Sequence, residues 1–339
     1  MYKVGIIGCG AILIRHIEAI DNNKNFKLKA LCDCDGNILN EAYKKYGGSG
    51  YTDYREMIDS GKINFVVVAT PNSLHFEQAK YALENGCDVL IEKPVSLNPK
   101  EVHLLSEIAK QNNTNAYTVL QVRLNPTVKS IKNILSDGSL GKIRGISLVQ
   151  RWQRPFEYFT GWRAEPYIGG GTLYECGIHY MDILCYLFGK PIVKSSTTYN
   201  TKHLNCEIED TIYSLLDFKD YGGTLEVTIS TEPSNLECSI SIITEKGYIK
   251  LGGQALDKIE DCKFEDDKTK LHFEKIVSKM GKSKAPNSYG NDNYQGSCPN
   301  HSELYENIND FKITESNNVI ELIAEIYEHS NIKYYKNEK

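Results

Sequence analysis

Three consecutive glycines, Gly169 to Gly171, run into Thr172-Leu173-Tyr174-Glu175-Cys176-Gly177-Ile178-His179-Tyr180-Met181-Asp182, where the titratable residues fall at regular intervals. Glu175, His179, Asp182 and Tyr186 are four, three and four apart, the spacing that stacks side chains along one stripe of a helix. Leu173, Cys176, Met181, Ile183, Leu184 and Leu187 supply the apolar face. Thr172 is the expected N-cap and Gly189-Lys190-Pro191 the stop. Such a polar row is either a solvated face or a buried acid–base cluster. The strongly apolar remainder, and a glycine lead-in that lets a ligand approach the backbone, favour the second. An imidazole buried beside carboxylates can be tuned towards neutral pH and act as a general base. In this reading His179 is the base, and Glu175 or Asp182 orients it.

A second chemical group lies in the first half of the chain. Gly8-Cys9-Gly10-Ala11-Ile12-Leu13 carries two glycines of a G-x-G-x-x-G pattern, with leucine at the third small position. Gly8 permits a sharp strand-to-helix turn, and Gly10 lets a pyrophosphate approach the N–H groups at Ala11 and Ile12. Asp33 closes the next strand, where an acid holds ribose hydroxyls and disfavours a 2′-phosphate, so NAD is the expected cofactor. Thr70-Pro71-Asn72-Ser73-Leu74-His75 and Glu92-Lys93-Pro94 follow two further strands. Ligands of open parallel sheets lie outside the carboxyl ends of the strands, which puts Thr70, Asn72, His75, Glu92 and Lys93 on one rim. Each of these is also ordinary turn chemistry. Lys93 is the candidate for polarising a substrate oxygen.

The elements that must position these groups fall into two halves. Apolar runs at 3–7, 27–32, 65–70, 88–92 and 117–122 alternate with helical patterns at 15–21, 38–46, 74–85 and 99–111, the signature of a parallel sheet covered on both faces. Alternating strands at 142–152, 192–200, 210–218, 223–230, 236–244 and 248–251 then form a largely antiparallel sheet with the 172–188 helix on one face. Two helices, at 302–310 and 317–330, close the chain. The expected fold is α/β: residues 1–122 an N-terminal Rossmann, doubly wound parallel sheet, and 123–339 a C-terminal α+β domain with an open sheet for substrate binding and oligomerisation.

With 339 residues, two domains are natural, and a formal net charge of -5 argues against a nucleic-acid partner. No apolar run is long enough for a bilayer, and the start leads directly into a strand, so a cytoplasmic, non-membrane protein is expected. The ten cysteines are scattered and lack zinc-site spacing, so no metal is expected. Of seven arginines, Arg123, Arg144, Arg151, Arg154 and Arg163 are concentrated in one stretch, a pattern that suits carboxylate or phosphate recognition, or surface ion pairs. Residues 281–300 form a Gly-, Ser-, Asn- and Pro-rich loop, in which Tyr289, Tyr294, Ser297 and Asn300, with the adjoining His301, suit sugar or nucleotide contacts better than a linker.

Gly-x-Gly, Asp33, Thr70-Pro71-Asn72-x-x-His75, Glu92-Lys93-Pro94 and Gly177-x-His179-x-x-Asp182, in that order over the whole chain, resemble the Gfo/Idh/MocA oxidoreductase family. The resemblance implies a nicotinamide cofactor, a sugar or cyclitol substrate, a catalytic lysine at Lys93 and a histidine at His179. Many members carry aspartate where this chain has Glu175. Leu120-Gln121-Val122-Arg123-Leu124-Asn125-Pro126, the glycine triplet and Gly296-Ser297-Cys298-Pro299-Asn300-His301 look most like the bacterial UDP-N-acetylglucosamine/glucuronate 3-dehydrogenases.

The resulting expectation is an NAD-dependent dehydrogenase that oxidises C3 of a UDP-N-acetylated hexose or hexuronate. Lys93 and His179 act in a crevice between the domains. Gln121, Arg123, Trp162 and Arg163 flank the nicotinamide or substrate, and Arg154, Tyr289, Ser297, Asn300 and His301 join the substrate site. The alternatives are a dehydrogenase or reductase of a free aldose, inositol or ketosugar, and a nicotinamide-binding regulatory protein without turnover. A homodimer or homotetramer is expected from the open sheet.

Overall fold

The computed structural model describes residues 1–282 and 298–332. Six parallel strands, β1 (Tyr2–Ile7), β2 (Phe26–Cys32), β3 (Ser49–Tyr51), β4 (Phe65–Val68), β5 (Asp88–Ile91) and β6 (Ala116–Thr118), pair in the order β3-β2-β1-β4-β5-β6. The order reverses between β1 and β4, which puts the ligand end at Gly8 and Ala69. Every residue of β4 is fully buried, as a sheet covered on both faces requires. Helices begin where the sequence supplies caps. Asp35 accepts from the amides of Asn37 and Ile38 at the start of Gly36–Tyr46, and Asn98 from Lys100 at the start of Pro99–Gln111.

The chain divides into two compact units. Met1–Leu120 is joined by His301–Ile320, and Gln121–Asn300 by the chain from Glu321 onward. The sequence assigns everything after 122 to one domain, whereas a late segment completes the first unit. The short strand β6 lacks a local neighbour on its outer side, and the Phe311 carbonyl accepts from the Thr118 amide there. Tyr305 of the helix His301–Glu306 meanwhile packs its ring 4.9 Å from that of Phe26.

In the second unit β7 (Ile143–Arg151), β8 (Ile192–Tyr199), β9 (Thr211–Asp217), β10 (Gly222–Thr228), β11 (Glu237–Thr244), β12 (Gly247–Gly252) and β13 (Lys258–Phe264) form one sheet, ordered β13-β12-β11-β7-β10-β9-β8. Only β7 and β10 run parallel, so the sheet is largely antiparallel. Alternate residues of β7 are buried, and the helix Ile178–Phe188 with its preceding turn covers that face. Gln150 donates to the Cys176 carbonyl, and Tyr180 meets Trp152 edge to face. On the opposite face Tyr213, Leu215 and Ile243 are exposed.

Candidate active site

In the first unit the glycine turn is shaped as a phosphate cradle. Gly8 has φ +97, and a Cβ there would lie 2.3 Å from the Ala69 carbonyl oxygen, so no other residue fits. A Cβ at Gly10 meets nothing within 4 Å, which is the room a pyrophosphate needs. The Asp33 carboxylate accepts from the amides of Cys9 and Asp35, each at 2.9 Å, and is thereby fixed at the end of β2. Ile12 leads into the helix Leu13–Asp21, and Leu13 packs in the core at the position a third glycine would hold. Burial, with Asp33 nearby, pushes the Cys9 thiol up to about 12, so it is not a nucleophile in this turn. These residues fit NAD.

The other rim residues engage one another. His75 is buried, with Nδ1 2.6 Å from the Pro94 carbonyl and Nε2 2.8 Å from that of Thr70. The Thr70 hydroxyl donates to Gln78, and Asn72 is buried. Burial holds the His75 imidazole below its ordinary value against the pull of the two carbonyls. The Lys93 amide donates to Glu92 Oε2 at 3.1 Å. Glu92 Oε1 faces His16 Nε2 at 3.1 Å and His301 Nε2 at 3.3 Å, and the Tyr305 hydroxyl lies 2.9 Å from His16 Nδ1. Burial opposes ionisation of Glu92, but hydrogen bonds from His16 and His301 outweigh it and hold the carboxyl well below its usual range. The ligand atoms of His16, Glu92 and His301 lie within 4.8 Å of one another, a grouping that sequence spacing does not reveal. His301, expected in the substrate site, has Glu92 as a partner. The signal for His16 was its place on the buried face of a helix, among Leu13, Ile17 and Ile20.

In the second unit Glu175, His179 and Asp182 are exposed by only 6 %, 6 % and 1 %, which excludes the solvated-face reading of the row. Leu173–Gly177 forms a π-helical turn ahead of the α-helix Ile178–Phe188, rather than one continuous α-helix. Such turns are rare and concentrate at functional sites. Thr172 makes no side-chain cap; its hydroxyl donates to the Glu209 carbonyl. The cap comes from elsewhere: Glu209 Oε1 accepts the Thr172 amide at 2.8 Å, and the Tyr327 hydroxyl accepts the Leu173 amide at 3.1 Å. A Cβ on Gly171, at φ +88, would lie 2.8 Å from that hydroxyl, so the last glycine of the triplet makes room for the cap.

The arginines expected near the substrate have partners within the chain. Arg123 forks onto Asp182, with Nε 3.0 Å from Oδ2 and Nη2 2.6 Å from Oδ1, and lies over the Tyr186 ring. Its guanidinium is therefore engaged by the chain's own carboxylate, as the charge of a buried aspartate requires. Arg154 is 2 % exposed, stacked on Trp152, and donates to the Gln153 carbonyl. Gln121 and Asn300 are also buried; the Asn300 amide donates to Asn125 Oδ1 at 2.9 Å and approaches the Gln121 carbonyl at 3.4 Å. Arg163, with a side chain 37 % exposed, stacks on Trp162 and lies 3.4 Å from Glu175, which also accepts from Tyr158. Tyr289, Tyr294 and Ser297 lie outside the described residues.

The sheet order, cradle and acid at β2 define a dinucleotide-binding α/β protein with a second, sheet-based unit. Residues 2–120 match the oxidoreductase family with an NAD-binding Rossmann fold, and residues 128–250 match the GFO/IDH/MocA C-terminal domain. The chain belongs to the Gfo/Idh/MocA family and is an NAD-dependent oxidoreductase.

Two curated relatives span most of it. Glucose-6-phosphate 3-dehydrogenase of Bacillus subtilis is 28% identical over 250 residues, 71% of this chain and 69% of that one. D-glucoside 3-dehydrogenase of Escherichia coli is 26% identical over 243 residues, 66% of this chain and 68% of that one. Among solved structures, the WlbA dehydrogenase from Bordetella pertussis in complex with NADH and UDP-GlcNAcA superposes with a TM-score of 0.84 at 27% identity, covering 97% of this chain and 95% of that one. No helix of the described residues is long and apolar enough to cross a membrane.

Proposed function

We propose that this protein is a sugar dehydrogenase that oxidises the C3 hydroxyl of a UDP-N-acetylated hexose or hexuronate. The observation that carries the reading is the burial of Glu175, His179 and Asp182 along one helical stretch, which keeps an imidazole out of bulk water as a tuned general base requires. The likeness of almost the whole chain to a dehydrogenase bound to UDP-GlcNAcA supports the substrate class.

Lys93 donates a hydrogen bond to the reacting hydroxyl oxygen and stabilises its developing negative charge. The neutral imidazole of His179 takes the hydroxyl proton. Glu175 holds Arg163, whose partly exposed guanidinium is suited to a uronate or phosphate oxygen of the substrate. Asp33 and the amides around Gly10 hold the cofactor. Bound NAD supplies the two-electron acceptor that alcohol oxidation needs.

A second reading, a free or phosphorylated hexose as substrate, is favoured by the two relatives that act at C3 of glucose 6-phosphate and of D-glucosides. Following NADH absorbance with UDP-GlcNAcA, UDP-N-acetylglucosamine, glucose 6-phosphate and methyl glucoside separates the two. The first reading expects the highest kcat/KM with a UDP-sugar. A glucose derivative without the nucleotide that outperforms both UDP-sugars transfers the assignment to the second.

A further inference from the structure

We propose that His301 is a positioning residue for Lys93, acting through Glu92. The proposal rests on the reading of Lys93 as the group that polarises the substrate. It assigns to the late segment His301–Ile320 the task of setting the geometry of a residue 208 positions earlier than its own first member, a span one less than the 209 residues that separate Glu92 from His301.

The hydrogen bonds fix each protonation state in turn. The ionised Glu92 carboxylate has only acceptors, so His16 and His301 must each present Nε2–H to its Oε1. The Tyr305 hydroxyl then donates to His16 Nδ1, which leaves His16 neutral and its tautomer determined. With Oε1 held by two imidazoles, Oε2 is directed at the Lys93 amide, so the backbone from which the lysine side chain springs is tied to a buried charge. Glu92, His16 and His301 are all buried, and low polarity strengthens every bond in this network while making a lost partner costly.

The turn is also held from its other side, where the His75 ring lies between the carbonyls of Pro94 and Thr70 and, as a neutral imidazole, donates to one of them. That clamp uses only residues between 70 and 94 and orders the loop locally. The His301 contact reaches this turn from the end of the chain. Removing its N–H leaves Oε1 with one donor, and the carboxylate is then free to rotate away from the Lys93 amide or to take up a proton. A lysine ammonium displaced by about 1 Å loses on the order of a hundredfold in rate.

The test compares His301→Gln, whose side-chain amide keeps an N–H near the position of Nε2, with His301→Leu, which removes it. The full-length protein is treated with trinitrobenzenesulfonate over a range of pH, and modification of Lys93 is followed by peptide mass spectrometry. The Leu variant is expected to change the rate and pH dependence of Lys93 modification, with the Gln variant close to wild type and the other lysines unaffected. Equal behaviour of Leu, Gln and wild type at Lys93 overturns the proposal.

Should the Leu variant not fold, His301→Asn, whose shorter amide does not reach Glu92 Oε1, makes the same comparison. With whichever sugar turns over, the Leu variant should lower kcat about ten- to a hundredfold with KM for NAD nearly unchanged. Lys93→Met is assayed alongside. Normal turnover by that variant refutes the reading of Lys93, whereas the labelling decides the role of His301 independently. One equivalent of zinc per purified chain, lost in His301→Leu, also overturns the proposal, because Glu92 would then be a metal ligand.

Discussion

The Tyr327 hydroxyl donates to Glu209 Oε1 at 2.5 Å across 118 residues of sequence, and together the two groups cap the helix that carries His179. The amides of Thr172 and Leu173 are among the donors a helix start leaves without an internal partner, and both end on this pair. Glu209→Ala strips the partner from the Thr172 amide and the Tyr327 hydroxyl in a buried site, which should cost about 2–4 kcal/mol. Tyr327→Phe removes the link to Leu173 and one donor to Glu209, for about 1–3 kcal/mol. Urea denaturation checks both. Combining them should cost clearly less than the sum, because the two side chains act as one cap. Strict additivity would mean that they stabilise the helix independently.

If His179 is the base, His179→Ala should lower turnover about a hundredfold or more with KM for NAD little changed, because a general base takes no part in holding the cofactor. Lys93→Met should also act mainly on kcat. If both serve one proton transfer, the double variant will be hardly slower than the worse single variant. Steady-state kinetics on the three proteins decide this. Multiplying defects would assign Lys93 and His179 to separate steps.

The parts legible in the sequence were those whose partners are close along the chain or whose residue type admits one reading. Gly8, Asp33 and the strands between them follow from a local pattern, and the buried row from Glu175 to Asp182 follows from helical spacing. The Arg123 fork onto Asp182 was not legible, because an arginine suited to a substrate carboxylate is equally suited to one from the chain itself. The cap on Thr172 and the ring of His16, Glu92 and His301 depend on side chains that only the folded chain brings together. The π turn uses residues that an α-helix would accept, and β3, with three residues, is too short for any periodicity to register.

Acid should weaken the first unit in two stages. Burial keeps His16 and His75 below the ordinary histidine value, so below about pH 6.5 the unfolded chain binds protons that the folded chain refuses. The stability of the neutral imidazoles is thus complete above that pH and declines beneath it. Glu92 is held well below its usual range despite burial, because His16 and His301 donate to it. Its contribution is present above about pH 4.3, the unfolded value, and is lost as the pH falls through the folded one. Tm measured from neutral pH to about pH 2 should fall gently and then more steeply. Glu92→Gln should flatten only the lower limb, and a variant with an unchanged acid limb would show that Glu92 is not ionised in the folded chain.

One face of the second sheet exposes large apolar side chains among the described residues. Tyr199 and Tyr213 stand 6.3 Å apart on neighbouring strands, Leu215 is 55 % exposed two residues on, and Ile243 pairs directly with Tyr248 across β11 and β12. Between these apolar groups Arg151 bridges Glu226 at 2.6 Å and Glu237 at 3.1 Å, so the charges in the middle of the face are held in ion pairs. An apolar surface of this breadth on an otherwise polar chain is most simply covered by a second copy, because the same patch can meet itself about a two-fold axis. Light scattering behind a sizing column should therefore give a dimer or tetramer. Leu215→Arg places two unmatched charges at that contact in every two-fold pair and should shift the mass towards the monomer. A wild-type protein that elutes as a monomer at micromolar concentration would show that the face is stable in water, its tyrosines wetted through their hydroxyls and its ion pairs sufficient to keep it soluble.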